Sequence, residues 1–145
     1  MEATRNTLKS LIETTFDSVG GYRKAAETAN SPQLKGVLTQ QAQKRQATLD
    51  ALNQELVRLG GEQVTSGTTA GGLHRLWVDI TSMFEKGDEA AAERVEEGED
   101  YLSKKFEEAL KEQDLDLTAR GAIEKAYLEV KEGERLTDQL ARQYD

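Results

Sequence analysis

Residues 60–87 read GGEQVTSGTTAGGLHRLWVDITSMFEKG, and the length and punctuation of this stretch decide the fold. Gly60-Gly61 is a helix terminator, and Gly87-Asp88 both stops one helix and opens another. About 27 residues therefore separate two helices, far more than the roughly 2–8 that join neighbours in a bundle. Within the span Leu73, Leu76, Trp77, Ile80, Met83 and Phe84 recur at three and four, the spacing of an amphipathic helix. One continuous helix is expected from Ala70 to Lys86, with Thr68 or Thr69 capping its start and Gly87 ending it. Such a connection carries the chain along the length of an all-α four-helix bundle, so that the next helix begins at the required end. A simple up-down-up-down bundle has no use for it.

On the N-terminal side, the spacing predicts a helix over 4–29, with Leu8, Leu11, Ile12, Phe16, Val19, Tyr22 and Ala26 on one stripe. Asn30-Ser31-Pro32 ends it and restarts the chain, with Ser31 as N-cap and Pro32 at the first helical position, where a missing N–H costs nothing. The second helix, 32–59, turns Leu34, Val37, Leu38, Leu49, Leu52, Leu56 and Leu59 inward. After the crossover come 88–112, capped by Asp88, with Ala91, Val95, Leu102, Phe106, Ala109 and Leu110 inward, and 116–142, with Ile123, Ala126, Tyr127, Val130, Leu136 and Leu140 inward. Four helices of about 25–28 residues, each near 40 Å long, suit a bundle better than an extended coiled coil or a repeat. Two antiparallel pairs joined by one long crossover make the ferritin-like arrangement, as a single domain over 1–145.

Composition narrows the function classes. The 145 residues include no Cys and one Pro, which excludes a disulfide framework and a cysteine-based metal or redox site. A net charge of −8 disfavours nucleic acid and anionic membrane surfaces, whose binding rests on Lys and Arg meeting phosphate. No apolar run approaches the roughly 20 residues of a membrane span. The start MEATRNTLKS has no apolar leader, so a cytoplasmic location is expected.

The apolar stripes are interrupted near mid-helix by polar side chains: Gln41, Arg45 and Thr48 on the second helix, Glu99 on the third and Glu134 on the fourth. The first helix brings Thr15, with Glu13 and Asp17 at the stripe's edge. Side chains at matching depth meet in a polar layer. Di-iron bundles fill that layer with a Glu from each of two helices and Glu-x-x-His from each of the other two. Here the sole His, His74, lies on the crossover, and Arg45, which cannot ligate a metal, stands on the helix where a ligand pair would be. One reading is a buried network of Gln41, Arg45, Thr48, Glu99 and Glu134, with the guanidinium in the place of a metal cation. The others are exposed side chains, or an oxygen-rich iron or manganese site built from Glu13, Glu99, Glu129, Glu134 and His74.

The segments Leu11-Ile12-Glu13, Gly21-Tyr22, Ala25-Ala26-Glu27, Ser31-Pro32-x-Leu34-Lys35, Arg45 fifteen residues before Gly60-Gly61, Leu73-His74-Arg75-x-Trp77-Val78-Asp79, Gly98-Glu99-Asp100 and Tyr127 carry a resemblance over nearly the whole chain. The sequence resembles a bacterial family of ferritin-like four-helix-bundle proteins of unknown function, relatives of the rubrerythrin and ferritin group. The resemblance implies a ferritin-like fold in a stress-associated or housekeeping protein with no established ligand. It also implies a His late in the last helix, where this chain has Glu134.

His74 and Trp77, three residues apart on the crossover, read either as packing or as a small binding notch. The carboxylates Asp88, Glu89, Glu93, Glu96, Glu97, Glu99 and Asp100 read as a solvated face whose first members favour a helix N-terminus. Gly20-Gly21, Gly36, Gly98 and Gly133, inside helices, mark either close helix approach or room for a large neighbouring side chain. The leading expectation is a non-catalytic structural or interaction module, without catalytic residues or cofactor, that forms a homodimer or binds a protein partner. The alternatives are a carboxylate-rich oxidase or store for iron or manganese, and a bundle that holds a small apolar ligand between its helices.

Overall fold

The computed structural model describes residues 2–68 and 71–144, and among them it contains six helices and no strand. These are α1 (Glu2–Thr28), α2 (Pro32–Arg58), α3 (Gly72–Val78), α4 (Ile80–Lys86), α5 (Asp88–Leu110) and α6 (Leu117–Gln143). The boundaries follow local chemistry. The Ser31 hydroxyl accepts from the Leu34 N–H at 3.3 Å with Pro32 beside it, and the Asp116 carboxylate accepts from the Ala119 N–H at 3.0 Å to open α6. At the end of α2, Gly60 takes φ +87°; its N–H reaches the Val57 carbonyl and that of Gly61 reaches Leu56, each at 2.9 Å. This paired closure satisfies carbonyls that a helix end leaves open.

The four long helices pack α1 on α2, α2 on α6, α6 on α5 and α5 on α1. Short connections make α1 and α2, and α5 and α6, run opposite, and hydrogen bonds between ends show the same for α1 with α5 and α2 with α6. The Thr7 hydroxyl near the start of α1 donates to Glu112 just past the end of α5, at 2.7 Å, and Arg58 at the end of α2 donates to Asp116 at the start of α6, at 2.6 Å. Leu8, Ile12, Leu38, Leu49, Leu52, Leu102, Phe106, Ile123 and Val130 are buried between them. Each such side chain contributes about 1.5–3 kcal/mol by leaving water.

The connection from α2 to α5 is pinned early and then lies across α1 and α5. Asn53 accepts from the Val64 N–H at 2.9 Å and donates to the Val64 carbonyl at 3.0 Å, with both partners buried. Further on, α3 and α4 both rest on α1 and α5. Trp77 is seated between two glycines: a methyl on Gly21 of α1 would fall inside its ring, and one on Gly98 of α5 would come within 3.0 Å. Those glycines give the indole room, whereas a methyl on Gly20 or Gly36 meets nothing within 4 Å.

Two local expectations are corrected. The expected single crossover helix is two, broken at Asp79, because Arg94 of α5 donates to the Leu76 carbonyl at 3.0 Å and to the Asp79 carboxylate at 2.5 Å. In an unbroken helix that carbonyl would accept from residue 80. Asp88 is also not a cap: the cap of α5 is Gly87, at φ +127°, and Asp88 is the first helical residue. Thr69 as a cap and Ala70 as a helix start lie outside the described residues. Among the described residues no helix is long and apolar enough to cross a membrane.

Candidate functional site

Arg45 projects from the middle of α2 into the space between the four long helices and is fully buried. Its Nη1 and Nη2 each donate to one oxygen of Glu99 on α5 at 2.7 Å, a two-pronged pair, and Nη1 also donates to the Ser18 hydroxyl of α1 at 2.6 Å. From α6, Glu129 accepts from Nε at 2.9 Å and from Nη2 at 3.2 Å. Thr48, three residues along α2 from Arg45, donates to Glu129 at 2.8 Å. The Tyr22 ring lies under the guanidinium, 5.6 Å from its carbon.

Burial opposes the charge on Arg45, but Glu99, with Glu129 behind it, outweighs that and holds the guanidinium well above its ordinary value. Burial also raises Tyr22 well above the usual phenol range, and the Glu99 carboxylate adds to it. The Tyr22 hydroxyl is buried close to Glu99 and Gln41 but closes no hydrogen bond of good geometry, and neither does the Gln41 amide nitrogen. Gly133 of α6 completes the centre: a methyl there would collide with the Glu99 carboxylate and come within 2.9 Å of Arg45 and Gln41.

The expected network is therefore gathered in part. Gln41, Arg45, Thr48 and Glu99 come together, but Glu134 does not join them. It sits between helices near the surface, accepting from Lys131 at 2.5 Å and lying beside Asp100. Glu129, considered only as a metal donor, takes the place expected for Glu134. Residues 129 and 134 are five apart on α6 and so about 140° apart around it, and the helix rotation chooses the first. Ser18 and Gly133 also belong to the centre. Ser18 precedes Val19 on the α1 stripe, and Gly133 is one turn from Glu129, but neither residue type signals a charge partner from sequence alone.

The oxygen-rich metal set is spread over the molecule. Glu99 and Glu129 are taken up by Arg45, Glu134 by Lys131 and Asp100, and His74 stands 3.9 Å from Asp17. Among the described residues no three His, Asp or Glu side chains are close enough to hold a metal ion. A di-iron centre does not fit this donor set: the two carboxylates at the middle already face a permanent cation, and a metal there would meet its charge.

Between α5 and α6, Glu96, Asp100, Glu134 and Asp138 line one groove of about 570 Å³. Burial and a hydrogen bond with Glu134 push Asp100 up to about 7. Burial raises Glu134 as well, but the Asp100 hydrogen bond and Lys131 outweigh it and hold Glu134 below its usual range.

Fold and centre together define an all-helical protein whose long helices converge on a buried arginine–glutamate pair. Residues 3–112, spanning α1 through α5, match the family described as Domain of unknown function (DUF2383), and the chain belongs to that family. α6 begins beyond the matched span. No curated protein matches the chain.

Proposed function

We propose that this chain is a ferritin-like four-helix bundle of bacterial, cytoplasmic and stress-associated type, folded as one domain, in which an ion pair replaces the di-iron site. It works by association rather than catalysis. The cyclic order of antiparallel neighbours, with the crossover laid over α1 and α5, supports the ferritin-like connectivity. The observation that carries the functional reading is the guanidinium of Arg45, which binds Glu99 and Glu129 together at the bundle centre. A permanent cation on both central carboxylates leaves no negative pocket to draw in iron or manganese. Leu117 and Leu128, both exposed and eleven residues apart, lie on one face of α6, and this face is the one assigned to a second copy.

Elemental analysis of untagged protein, purified without chelator from cells supplied with iron and manganese, tests the centre, and sedimentation equilibrium tests the association. Metal-free dimer is expected. An equivalent of bound iron or manganese per chain, lost on Glu99→Ala, overturns the ion-pair reading, and a monomer at high concentration overturns the association.

A further inference from the structure

We propose that a notch between α1 and α3 binds a small organic acid, a molecule with one carboxylate and a compact apolar body. The notch encloses about 320 Å³, and Phe16, Asp17, Gly20, Lys24, His74 and Val78 are among its walls. Along α1 its lining changes character turn by turn. Phe16 makes an apolar end, Gly20 leaves an open floor and Lys24 supplies a cationic end, each four residues and so about 6 Å along the helix from the next.

One feature leaves the notch open, and two favour an anion in it. First, nothing in the packing explains Gly20: a methyl on it meets no atom within 4 Å, although a glycine inside a helix is unfavourable. Second, Lys24 makes no ion pair among the described residues, in a chain of net charge −8. Third, His74 is held from behind. Its Nδ1 is 3.9 Å from the Asp17 carboxylate, which is 5% exposed and anchored by the Thr68 N–H at 3.1 Å and the Thr68 hydroxyl.

The Asp17 carboxylate faces Nδ1, so in the doubly protonated ring Nδ1–H points to Asp17 and Nε2–H is left to donate to a ligand carboxylate. His74 Nε2 and Lys24 Nζ then converge on a carboxylate, and the apolar body lies over Gly20 against Phe16 and Val78, which is 59% exposed. This proposal does not depend on the reading of the Arg45 centre.

The test is a titration of full-length protein with 4-phenylbutyrate, followed through the backbone amides of Gly20 and Lys24 and the indole of Trp77 by heteronuclear NMR. Saturable shifts confined to these groups are expected, with binding at least tenfold weaker for the neutral 4-phenylbutanol and for the Lys24→Gln/His74→Gln double variant. Gly20→Leu, whose Cβ meets no atom within 4 Å and whose side chain fills the floor, is expected to abolish the shifts while the circular dichroism melt stays at least as high as wild type. Absence of saturable shifts, equal binding of the alcohol, or unchanged binding by Gly20→Leu overturns the proposal.

Discussion

Arg45 and Glu99 face each other across α2 and α5 with two hydrogen bonds of 2.7 Å, and neither side chain is exposed to solvent. Removing one member strands the other charge in the interior. Arg45→Met is expected to destabilise the fold by about 3–5 kcal/mol, while Arg45→Met/Glu99→Leu recovers part of that loss, because only Glu129, which is partly exposed and keeps its Thr48 hydrogen bond, is then without its cation. Urea unfolding of the two variants measures the difference directly.

The interior glycines separate into two groups. Gly21→Ala drives a methyl into the Trp77 ring and Gly133→Ala drives one into the Glu99 carboxylate, so each is expected to lose about 1–3 kcal/mol through overpacking. Gly20→Ala and Gly36→Ala meet nothing within 4 Å and should gain about 0.5–1 kcal/mol from reduced backbone freedom in the unfolded chain. Thermal melts of the four single variants should therefore move in opposite directions by pairs.

Asp100 gives stability a pH dependence of unusual sign for an acidic protein. Its carboxyl rises from 3.8 to about 7 on folding, chiefly through burial and its hydrogen bond with Glu134, so between those values the folded state holds a proton that the unfolded state has released. Its contribution is complete below pH 3.8 and is lost as pH rises through 7. Glu134, held low, acts in the opposite sense, losing its contribution as pH falls below its usual 4.5. Denaturant midpoints measured from pH 5 to 8 should decline up to about pH 7 and then level, and Asp100→Asn should flatten the decline below pH 7. A wild-type midpoint that is level across the range would contradict the shared proton.

Asn53 holds the start of the crossover through two buried hydrogen bonds to the Val64 backbone. Asn53→Leu leaves the Val64 N–H and carbonyl buried and unmet, at an expected cost of about 1–3 kcal/mol. Amide exchange should show Val64 losing protection while Gly60 and Gly61, closed on α2 by their own hydrogen bonds, keep theirs.

The long helices were legible because their signals are local. Ser31-Pro32, Gly60-Gly61 and the three-and-four spacing of leucines act within a few residues of themselves, and each reappears as a boundary or a buried face. The break at Asp79 was not legible because its cause, Arg94, lies fifteen residues away on another helix and competes for one carbonyl. The centre was half legible for a similar reason. Arg45 and Glu99 interrupt apolar stripes and announce themselves, whereas the choice of Glu129 over Glu134 rests on how α6 is rotated. That rotation is set by packing along the whole helix, including the close fit of Gly133 against Glu99.

Leucine layers are forgiving of sliding, since one apolar side chain replaces another when a helix shifts along its neighbour. The centre is not. Its partners come from α1, α2, α5 and α6 at one depth, and a shift of any of the four by a single turn, about 5.4 Å, would separate Arg45 from an acceptor and leave a charge or a hydroxyl unmet. The arginine thus acts as an alignment key: the apolar residues make the helices associate, and the one charged layer selects which of their many axial alignments is the native one.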